Sequence, residues 1–461
     1  MFAIPGILGI LFFVYLRPQE AYDSLSGLPF LYLFFALSIF GAAVDLRLRV
    51  TKAIAIPALP WVGAFVLWCL LSVAIKRSDA LIGSATSLFI TVAIFALVAQ
   101  SVQRFQILEK IAAMLVFLAI VLSVIGIHQS LAPKQCVVAP TGEGNHNETG
   151  SPDGRPCLRE RTCYNDSPDP AAEYMCERAG LMGTHSIAGR VRYRGVLQDP
   201  NELAVALVTG LALLFALWLR TGSRWWGRVS FVSFLLVAWA VKETGSRSGQ
   251  LGFIGMLTVF LFWRYRWKIA AVLVPLAVPA LLLVAKGGSD RGDAGQSTED
   301  RYEAWRVGFE IFRESPIWGV GFNQFNSYHH LTAHNTYVLV LAELGVVGAF
   351  IFTMLMWISI KTPLTAWRRY EGHPEARAAE VWSVAVIGAM LSVLSGCAFL
   401  SFAYHYVLWI FWGLAGALFI CIKRHDPDFE VRISFLDVIG VMIVNTVLFV
   451  LLELLLRVKG F

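Results

Sequence analysis

The chain has 461 residues, of which 57% are hydrophobic and only 15% are charged, and its mean hydropathy is +0.63. Soluble globular proteins carry about 25% charged residues, so these charges are too few to cover a water-exposed surface. The net charge of +6 is divided among short clusters between apolar segments, with no run of five basic residues, which argues against a nucleic-acid partner. The composition therefore indicates a polytopic membrane protein surrounded by membrane lipids.

Apolar runs predict an all-α fold with about 12–13 transmembrane helices, because about 20 apolar residues span a bilayer. The first run, 2–16, is short and could be the h-region of a secretory signal. It lacks a basic n-region and a clear cleavage site, so we count it as a span. The predicted spans are 2–16, 29–44, 57–75, 80–99, 107–131, 200–219, 226–241, 248–263, 267–286, 335–358, 381–400, 403–422 and 434–456.

The Lys and Arg residues of the short loops predict the orientation. Eighteen lie in one set of loops and seven in the other set and the tail, and the richer set is expected to be cytoplasmic. Two sizeable polar segments then lie on the outer side. The predicted regions are 1–131 (N-terminal transmembrane helices), 132–199 (an outer loop with cysteines), 200–286 (central transmembrane helices), 287–334 (an outer loop with an amphipathic helix) and 335–461 (C-terminal transmembrane helices).

The first outer segment holds four of the seven cysteines of the chain. Clustered cysteines in an oxidising compartment predict two disulfides, with three possible pairings. A zinc site is the alternative, but the gap between Cys157 and Cys163 does not fit the usual spacing of zinc ligands. The four residues are Cys136, Cys157, Cys163 and Cys176.

Two short elements bring arginines to the outer side. Arg190, Arg192 and Arg194 precede an Asp-Pro-Asn turn in which Asp199 or Asn201 is predicted to cap a helix. Capping does not explain the crowding of arginines there. Arg247 lies between small residues in Ser246-Arg247-Ser248-Gly249, which suits an anion site, although its side chain could also simply reach the membrane interface.

The second outer segment combines a helical pattern with histidines. Residues 301–314 have Trp305, Phe309 and Phe312 on one face, which is typical of an amphipathic helix that lies on the membrane. His334 precedes a predicted span, where a histidine often acts as a cap. His329, His330 and His334 could suggest a metal site, but no helix or carboxylate supports one.

At these residues the chain resembles the O-antigen ligase and O-antigen polymerase family of bacterial envelope glycosyltransferases. Each motif is short, but their order and common outer side make the set fairly specific, and it covers about residues 185–358. The cysteine loop is not part of the family pattern. The matching stretches are Arg192-Tyr-Arg194-Gly195 through Pro200-Asn201, Ser246-Arg247-Ser-Gly, Arg301 with Trp305 and Pro316–Gly321, and His334-Asn335 followed by Glu343-Leu-Gly345-Val-Val-Gly348.

The resemblance implies a multi-pass enzyme of the bacterial inner (cytoplasmic) membrane whose active face is periplasmic. The implied donor is a glycan linked to undecaprenyl pyrophosphate, and neither a metal nor a cofactor is expected. Family arginines bind the pyrophosphate and a histidine lies beside the acceptor hydroxyl. These roles map to Arg192 or Arg194, to Arg247, to Arg301 and, as the catalytic residue, to His334, with Asn201 and Asn335 as supporting residues.

The acceptor stays open between three possibilities within the family. A ligase would use a lipid A-core sugar, a polymerase a growing glycan, and a protein O-oligosaccharyltransferase a protein side chain. The opening Tyr15-Leu-Arg-Pro-Gln-Glu20 looks like a subgroup that occurs beside exosortase systems and is proposed to glycosylate proteins.

A membrane transporter or lipid flippase is the alternative of another class. It would predict inverted repeats, interrupted helices and ionisable residues at mid-membrane depth. The sequence contains no internal repeat, and the arginines lie at the outer ends of spans. Glu343, about 13 Å into its predicted helix, is the exception.

Overall fold

The computed structural model describes residues 1–138, 150–165, 168–169, 172–266 and 293–461. The chain is 73% helical, which confirms the predicted all-α class. The long helices are α1 (Ala3–Tyr15), α2 (Phe30–Arg47), α3 (Leu59–Lys76), α4 (Leu81–Ser101), α5 (Phe105–Leu131), α6 (Pro200–Thr221), α7 (Arg224–Thr244), α8 (Arg247–Tyr265), α9 (Asp293–Glu314), α10 (Thr336–Tyr370), α11 (Arg377–Phe399), α12 (Tyr406–Lys423) and α13 (Phe435–Lys459).

Every long helix except α9 coincides with a predicted span, and the predicted span 267–286 lies outside the described residues. Nine of the described helices are long and apolar enough to cross a membrane, which confirms a polytopic membrane protein. The described helices that coincide with predicted spans but do not meet this criterion are α1, α7 and α8. Helix α1 has only 13 residues, or about 20 Å, and is shorter than the roughly 30 Å apolar core of a bilayer.

Four of the described helices form the centre of the bundle. The most apolar 18-residue stretch is 78% buried in α6, α10 and α11 and 89% buried in α12, but only 11% buried in α13. Glycines allow α8 to approach this centre closely. A Cβ at Gly249 would lie 2.3 Å from the Ala204 Cβ of α6, and one at Gly252 would lie 2.6 Å from the Ser392 Oγ of α11.

The first polar segment, 132–199, contains a small antiparallel sheet, which the sequence did not predict. Its strands are β1 (Lys134–Val138), β2 (Ser151–Pro156) and β3 (Tyr174–Arg178), in the order β2-β1-β3. Two disulfides, Cys136–Cys163 and Cys157–Cys176, confirm the prediction of two bridges and select one of the three pairings. The bridges and the buried Tyr174 form a separate small core, as expected for a segment too short to bury a larger one.

Helix α10 is interrupted at Gly345, whose φ of 65° and ψ of −171° lie outside the helical region. The Pro316–Gly321 segment fills this break. Val320 N and Gly321 N donate to the Ala342 and Glu343 carbonyls at 3.1 and 2.9 Å, and Val346 N donates to the Pro316 carbonyl at 2.8 Å. A Cβ at Gly345 would lie 2.2 Å from the Ile317 carbonyl oxygen, so only glycine fits.

Helix α9 contains the amphipathic segment expected at 301–314, but its apolar face packs on protein. Trp305 and Phe309 are buried, and a Cβ at Gly308 would lie 2.5 Å from the Val338 side chain of α10. On the far side, Arg313 forms an ion pair with Glu453 of α13 at 2.9 Å. This corrects the expectation that the apolar face lies on the membrane.

Candidate functional site

His334 lies in a short link that is fixed on both sides. Its own φ of 46° is left-handed, a conformation that costs a residue with a Cβ about 1–2 kcal/mol. Its backbone N–H donates to Ser401 Oγ at 3.1 Å, and Trp305 Nε1 of α9 donates to the carbonyl of the preceding residue, Ala333, at 2.8 Å. The family residue Trp305 therefore positions the link that contains the histidine.

Asn335, not His334, caps helix α10. Its side-chain oxygen accepts from Tyr337 N and Val338 N at 3.0 and 3.2 Å, and its Nδ2 donates to the Ala398 carbonyl at 3.2 Å. None of the described residues forms a hydrogen bond with the imidazole ring of His334. The ring nitrogens are therefore available to a substrate, as a catalytic role requires.

Arg247 is the first residue of α8 and Ser246 is its cap, with Ser246 Oγ accepting from Gly249 N at 3.0 Å. Arg301 lies one turn before Trp305 on α9. Within the part of the chain that the structure describes, neither guanidinium makes a hydrogen bond or an ion pair. Two cations without partners thus lie at the same end of the bundle as His334.

The arginine segment before α6 is held mainly by its neighbours in the fold. Arg190 Nε donates to the Thr244 carbonyl at 2.8 Å, and its Nη2 donates to Asn201 Oδ1 at 3.2 Å. Asn201 Nδ2 in turn donates to Asp199 Oδ1 at 2.8 Å. The supporting residue Asn201 thereby joins Arg190 to Asp199, which forms the predicted cap of α6.

The structure distinguishes Arg192 from Arg194. Both terminal nitrogens of Arg194 donate to backbone carbonyls, Nη1 to Glu20 and Nη2 to Met182, so this guanidinium ties the N-terminal segment to the outer loop. Arg192 Nη2 lies 2.9 Å from Nε2 of His185, while its Nη1 has no hydrogen-bond partner among the described residues. Arg192 therefore retains a terminal nitrogen without a partner. In Arg194 only Nε lacks a partner among the described residues, and that nitrogen is buried.

Asp199 lies at the electrostatic centre of the site. Burial lowers the pKa of Arg301, the Asp199 carboxylate raises it, and the charge of Arg247 lowers it again. Burial also lowers the pKa of His334, with Arg301 lowering it further and Asp199 raising it. Burial lowers the pKa of Arg192 as well, and Glu177 and Asp199 raise it. The Asp199 charge thus acts on Arg192, Arg301 and His334, and the Arg247 charge acts on Arg301.

The electrostatics has a chemical consequence. Arginine stays charged despite a lowered pKa, because its unperturbed value is above 12. The lowered pKa of His334 favours its neutral form at pH 7, which can accept a proton. The site thus combines fixed cations with a candidate base.

Several residues of this site are not recognisable from the sequence. His185 and Gln129 contact Arg192, since Arg192 N donates to Gln129 Oε1 at 3.0 Å, and Ser401 contacts His334. These three residues either lie far from the motifs in the sequence or belong to a loop that contains no recognisable motif. Asp199 was recognisable only as a cap, although its position between two arginine motifs was a usable signal.

Potential metal ligands occur together in one place among the described residues. Sulfur atoms of Cys136, Cys157 and Cys163 lie within 4.8 Å of one another because two disulfides are adjacent there. A disulfide sulfur offers no thiolate for zinc. The three histidines considered from the sequence do not form such a group in the described part of the chain.

Comparison with known proteins supports the resemblance. No curated protein matches the chain. Residues 232–353 match the family model Wzy_C, described as O-antigen ligase. This stretch contains Arg247, Arg301 and His334, whereas Arg192 and the cysteine loop lie before it. The resemblance predicted from the motifs is confirmed, and it is to the O-antigen ligase family that residues 232–353 are similar.

Proposed function

We propose that this protein transfers a glycan from undecaprenyl pyrophosphate to an acceptor hydroxyl at the periplasmic face of the bacterial inner membrane. The observation that carries the proposal is that the Asp199 charge acts on Arg192, Arg301 and His334, while the Arg247 charge acts on Arg301. The pKa of this histidine is lowered. The three arginine cations outnumber the two carboxylates that act on them, Asp199 and Glu177. A pyrophosphate supplies the missing negative charge and accepts several bidentate hydrogen bonds.

Arg247 and Arg301 are proposed to bind the donor pyrophosphate where its charge increases during the reaction. The bond between the anomeric carbon and the pyrophosphate oxygen breaks, so negative charge builds on the leaving group. The positive charge of the two guanidiniums would stabilise that developing negative charge. Arg192 contributes to donor binding through its free Nη1, and we assign no donor contact to Arg194, because both of its terminal nitrogens are engaged.

His334 is proposed to be the general base. The acceptor oxygen attacks the anomeric carbon, its proton passes to a ring nitrogen of His334, and undecaprenyl pyrophosphate leaves. The two free ring nitrogens and the lowered pKa favour this role. Asp199 is close enough to stabilise the imidazolium that forms. The activation is contained in the donor, so no ATP is required, and no metal is proposed.

A lipid A-core sugar is the proposed acceptor, in an O-antigen ligase reaction. Polymerisation of a glycan and transfer to a protein are the alternatives within the family. The N-terminal motif contacts the site segment, since Tyr193 Oη donates to the Leu16 carbonyl at 2.7 Å and Arg194 donates to Glu20. These contacts connect the N-terminal motif to the site, but they do not favour any one of the three acceptors.

The test is glycan transfer by purified protein from a polyprenyl-pyrophosphate donor, with EDTA present and each acceptor class supplied separately. We expect transfer in EDTA to the lipid-core acceptor. Activity lost in EDTA and restored by a divalent cation would contradict the metal-free reaction. Transfer only to a glycan or to a protein would replace the proposed acceptor and leave the chemistry intact.

One structural feature supports the transporter alternative, and another argues against it. Helix α10 is interrupted, as in many transporters. Yet Glu343, buried beside the break, accepts from Asn323 N at 3.0 Å, Phe325 N at 2.9 Å and Tyr404 Oη at 2.8 Å. A carboxylate saturated by fixed donors supports a loop and has little capacity left for a transported ion. Donor-linked glycan transport into vesicles without transfer would favour the transporter.

A further inference from the structure

The disulfide-bonded sheet lies before the family match, yet its edge is joined to the arginine segment. After β3 the chain turns back, and Ala179 pairs with His185 in an antiparallel bridge. Ser186 N donates to the Arg178 carbonyl at 3.0 Å, and Arg178 N donates to Ser186 Oγ at 2.9 Å. The sheet therefore continues directly into the residues that contact Arg192.

The buried side chain of Glu177 in β3 accepts hydrogen bonds from this returning segment. Only 9% of its surface is exposed. Its Oε2 accepts from Ser186 Oγ and, at 3.3 Å, from Gly189 N. Its charge also raises the pKa of Arg192. A buried carboxylate is costly to desolvate, so its charge needs donors and a cation nearby, and the described neighbours supply both.

His185 connects the segment to the guanidinium. The side chain is 1% exposed, and its Nδ1 lies 2.9 Å from the Ser186 carbonyl, which it can reach only as a donor. Its Nε2 is then the acceptor for Arg192 Nη2 at 2.9 Å, while Arg192 Nε donates to the His185 carbonyl at 3.3 Å. Burial and the Arg192 charge lower the pKa of His185 to about 4, which keeps this acceptor neutral.

We propose that the disulfide-bonded sheet braces the donor site, with Glu177 and His185 as positioning residues that hold the Arg192 guanidinium towards the donor pyrophosphate. The Cys157–Cys176 bridge fixes the residue next to Glu177. This inference rests on the proposed function for its kinetic consequence. It assigns the cysteine loop a role in binding the lipid pyrophosphate.

The first test replaces Glu177 by Gln and uses Glu173→Gln as the matched control. Glu173 lies four residues earlier in the same loop, is exposed, and makes no ion pair among the described residues. We expect Glu177→Gln to raise the donor KM about tenfold, with kcat and the acceptor KM unchanged. The control should leave all three unchanged. Equal effects of both variants, or a loss confined to kcat, would overturn the positioning role.

A double-mutant cycle separates positioning from general loss of structure. If Glu177 acts through Arg192, then Glu177→Gln should add nothing in an Arg192→Gln background. Additive effects would contradict the proposal. His185→Gln provides a second route should Glu177→Gln fold poorly, and it should also raise the donor KM without further effect once Arg192 is replaced.

A readout without turnover separates this proposal from the proposed function. Modification of arginines by a dicarbonyl reagent, mapped by peptide mass, should be faster at Arg192 in Glu177→Gln and in the paired variant Cys157→Ser with Cys176→Ser. It should be unchanged in Glu173→Gln. Faster modification in a protein that transfers no glycan would retain the brace and reject the proposed function. If the protein is active but the rate of modification at Arg192 is unchanged in these variants, the brace is rejected and the proposed function is not.

Discussion

The two ends of the helix bundle use arginine in different ways. At the end opposite the site, Arg369 pairs with Asp426 at 2.7 Å, Arg266 with Glu371 at 2.6 Å, and Arg220 with Glu109. At the site end, Arg247 and Arg301 have no such partner among the described residues. The paired cations hold loops together. Arg247 is exposed, whereas burial lowers the pKa of Arg301 and no carboxylate pairs with it among the described residues. A buried cation without an ion pair is expected where a ligand supplies the anion.

The same contrast separates two arginines within one segment. Both terminal nitrogens of Arg194 donate to backbone carbonyls, whereas Arg192 keeps one terminal nitrogen free among the described residues. The position of an arginine near a motif is therefore a poor guide to its function. Whether its terminal nitrogens already have hydrogen-bond partners is a better guide. The following variants test whether this distinction predicts activity, from the largest expected effect to the smallest.

His334→Ala is expected to have the largest effect. Loss of a general base should lower kcat by about 10²–10⁴, while donor binding survives because the arginines are intact. His425→Ala at the opposite end is the control, since its Nδ1 is already engaged by the Cys421 carbonyl at 2.8 Å. The measurements are transfer kinetics and donor binding for both variants. Near-normal turnover of His334→Ala would remove the histidine from the mechanism.

Arg301→Ala should lower kcat by about 10²–10³, since it removes fixed charge from the leaving group. Arg301→Lys should already impair transfer, because an ammonium lacks the planar fork. Arg306→Ala is the matched control on the same helix, where Arg306 is exposed and lies 4.0 Å from Glu310. If Arg301→Ala and Arg306→Ala lose activity equally, the absence of an ion-pair partner does not identify the arginines that act in transfer.

The sequence predicted the helices well because long apolar runs have few alternatives in a bilayer. It predicted two disulfides from the clustering of four cysteines, but it could not choose their pairing. Cys136 and Cys176 lie opposite each other on β1 and β3, yet each is bonded to a cysteine outside these strands. The sheet itself was missed, since short strands with Pro, Gly and Asp give no alternating pattern.

The site was predictable only in part. Arg247, Arg301 and His334 were selected from motifs, and the structure brings them together. The choice between Arg192 and Arg194 depends on carbonyls of Glu20 and Met182, and no local pattern reports contacts with residues so far away in the chain. The apolar face of α9 was assigned to lipid because amphipathicity does not reveal which apolar partner covers a helix.

The pH dependence should report on His334. Burial and the Arg301 charge lower its pKa from an ordinary value of about 6.5, so the base stays neutral and active below that pH. As pH falls through the lowered pKa, protonation should reduce kcat/KM about tenfold per unit. We expect Arg301→Gln to move this acid limb to higher pH, because one of the charges that lower the pKa is removed. An acid limb that stays in place would separate His334 from the limiting ionisation.

Arg194→Gln should produce the smallest effect on activity and a clear effect on stability. Its removal leaves the Glu20 and Met182 carbonyls without their donors, which should cost about 1–3 kcal/mol in the free energy of unfolding. Arg192→Gln should do the reverse, raising the donor KM with a smaller loss of stability. Thermal unfolding in detergent and donor titration, performed on both variants, measure the two quantities. A raised donor KM with normal stability in Arg194→Gln would show that the arginine with engaged donors still binds substrate, and the comparison between paired and free guanidiniums would fail.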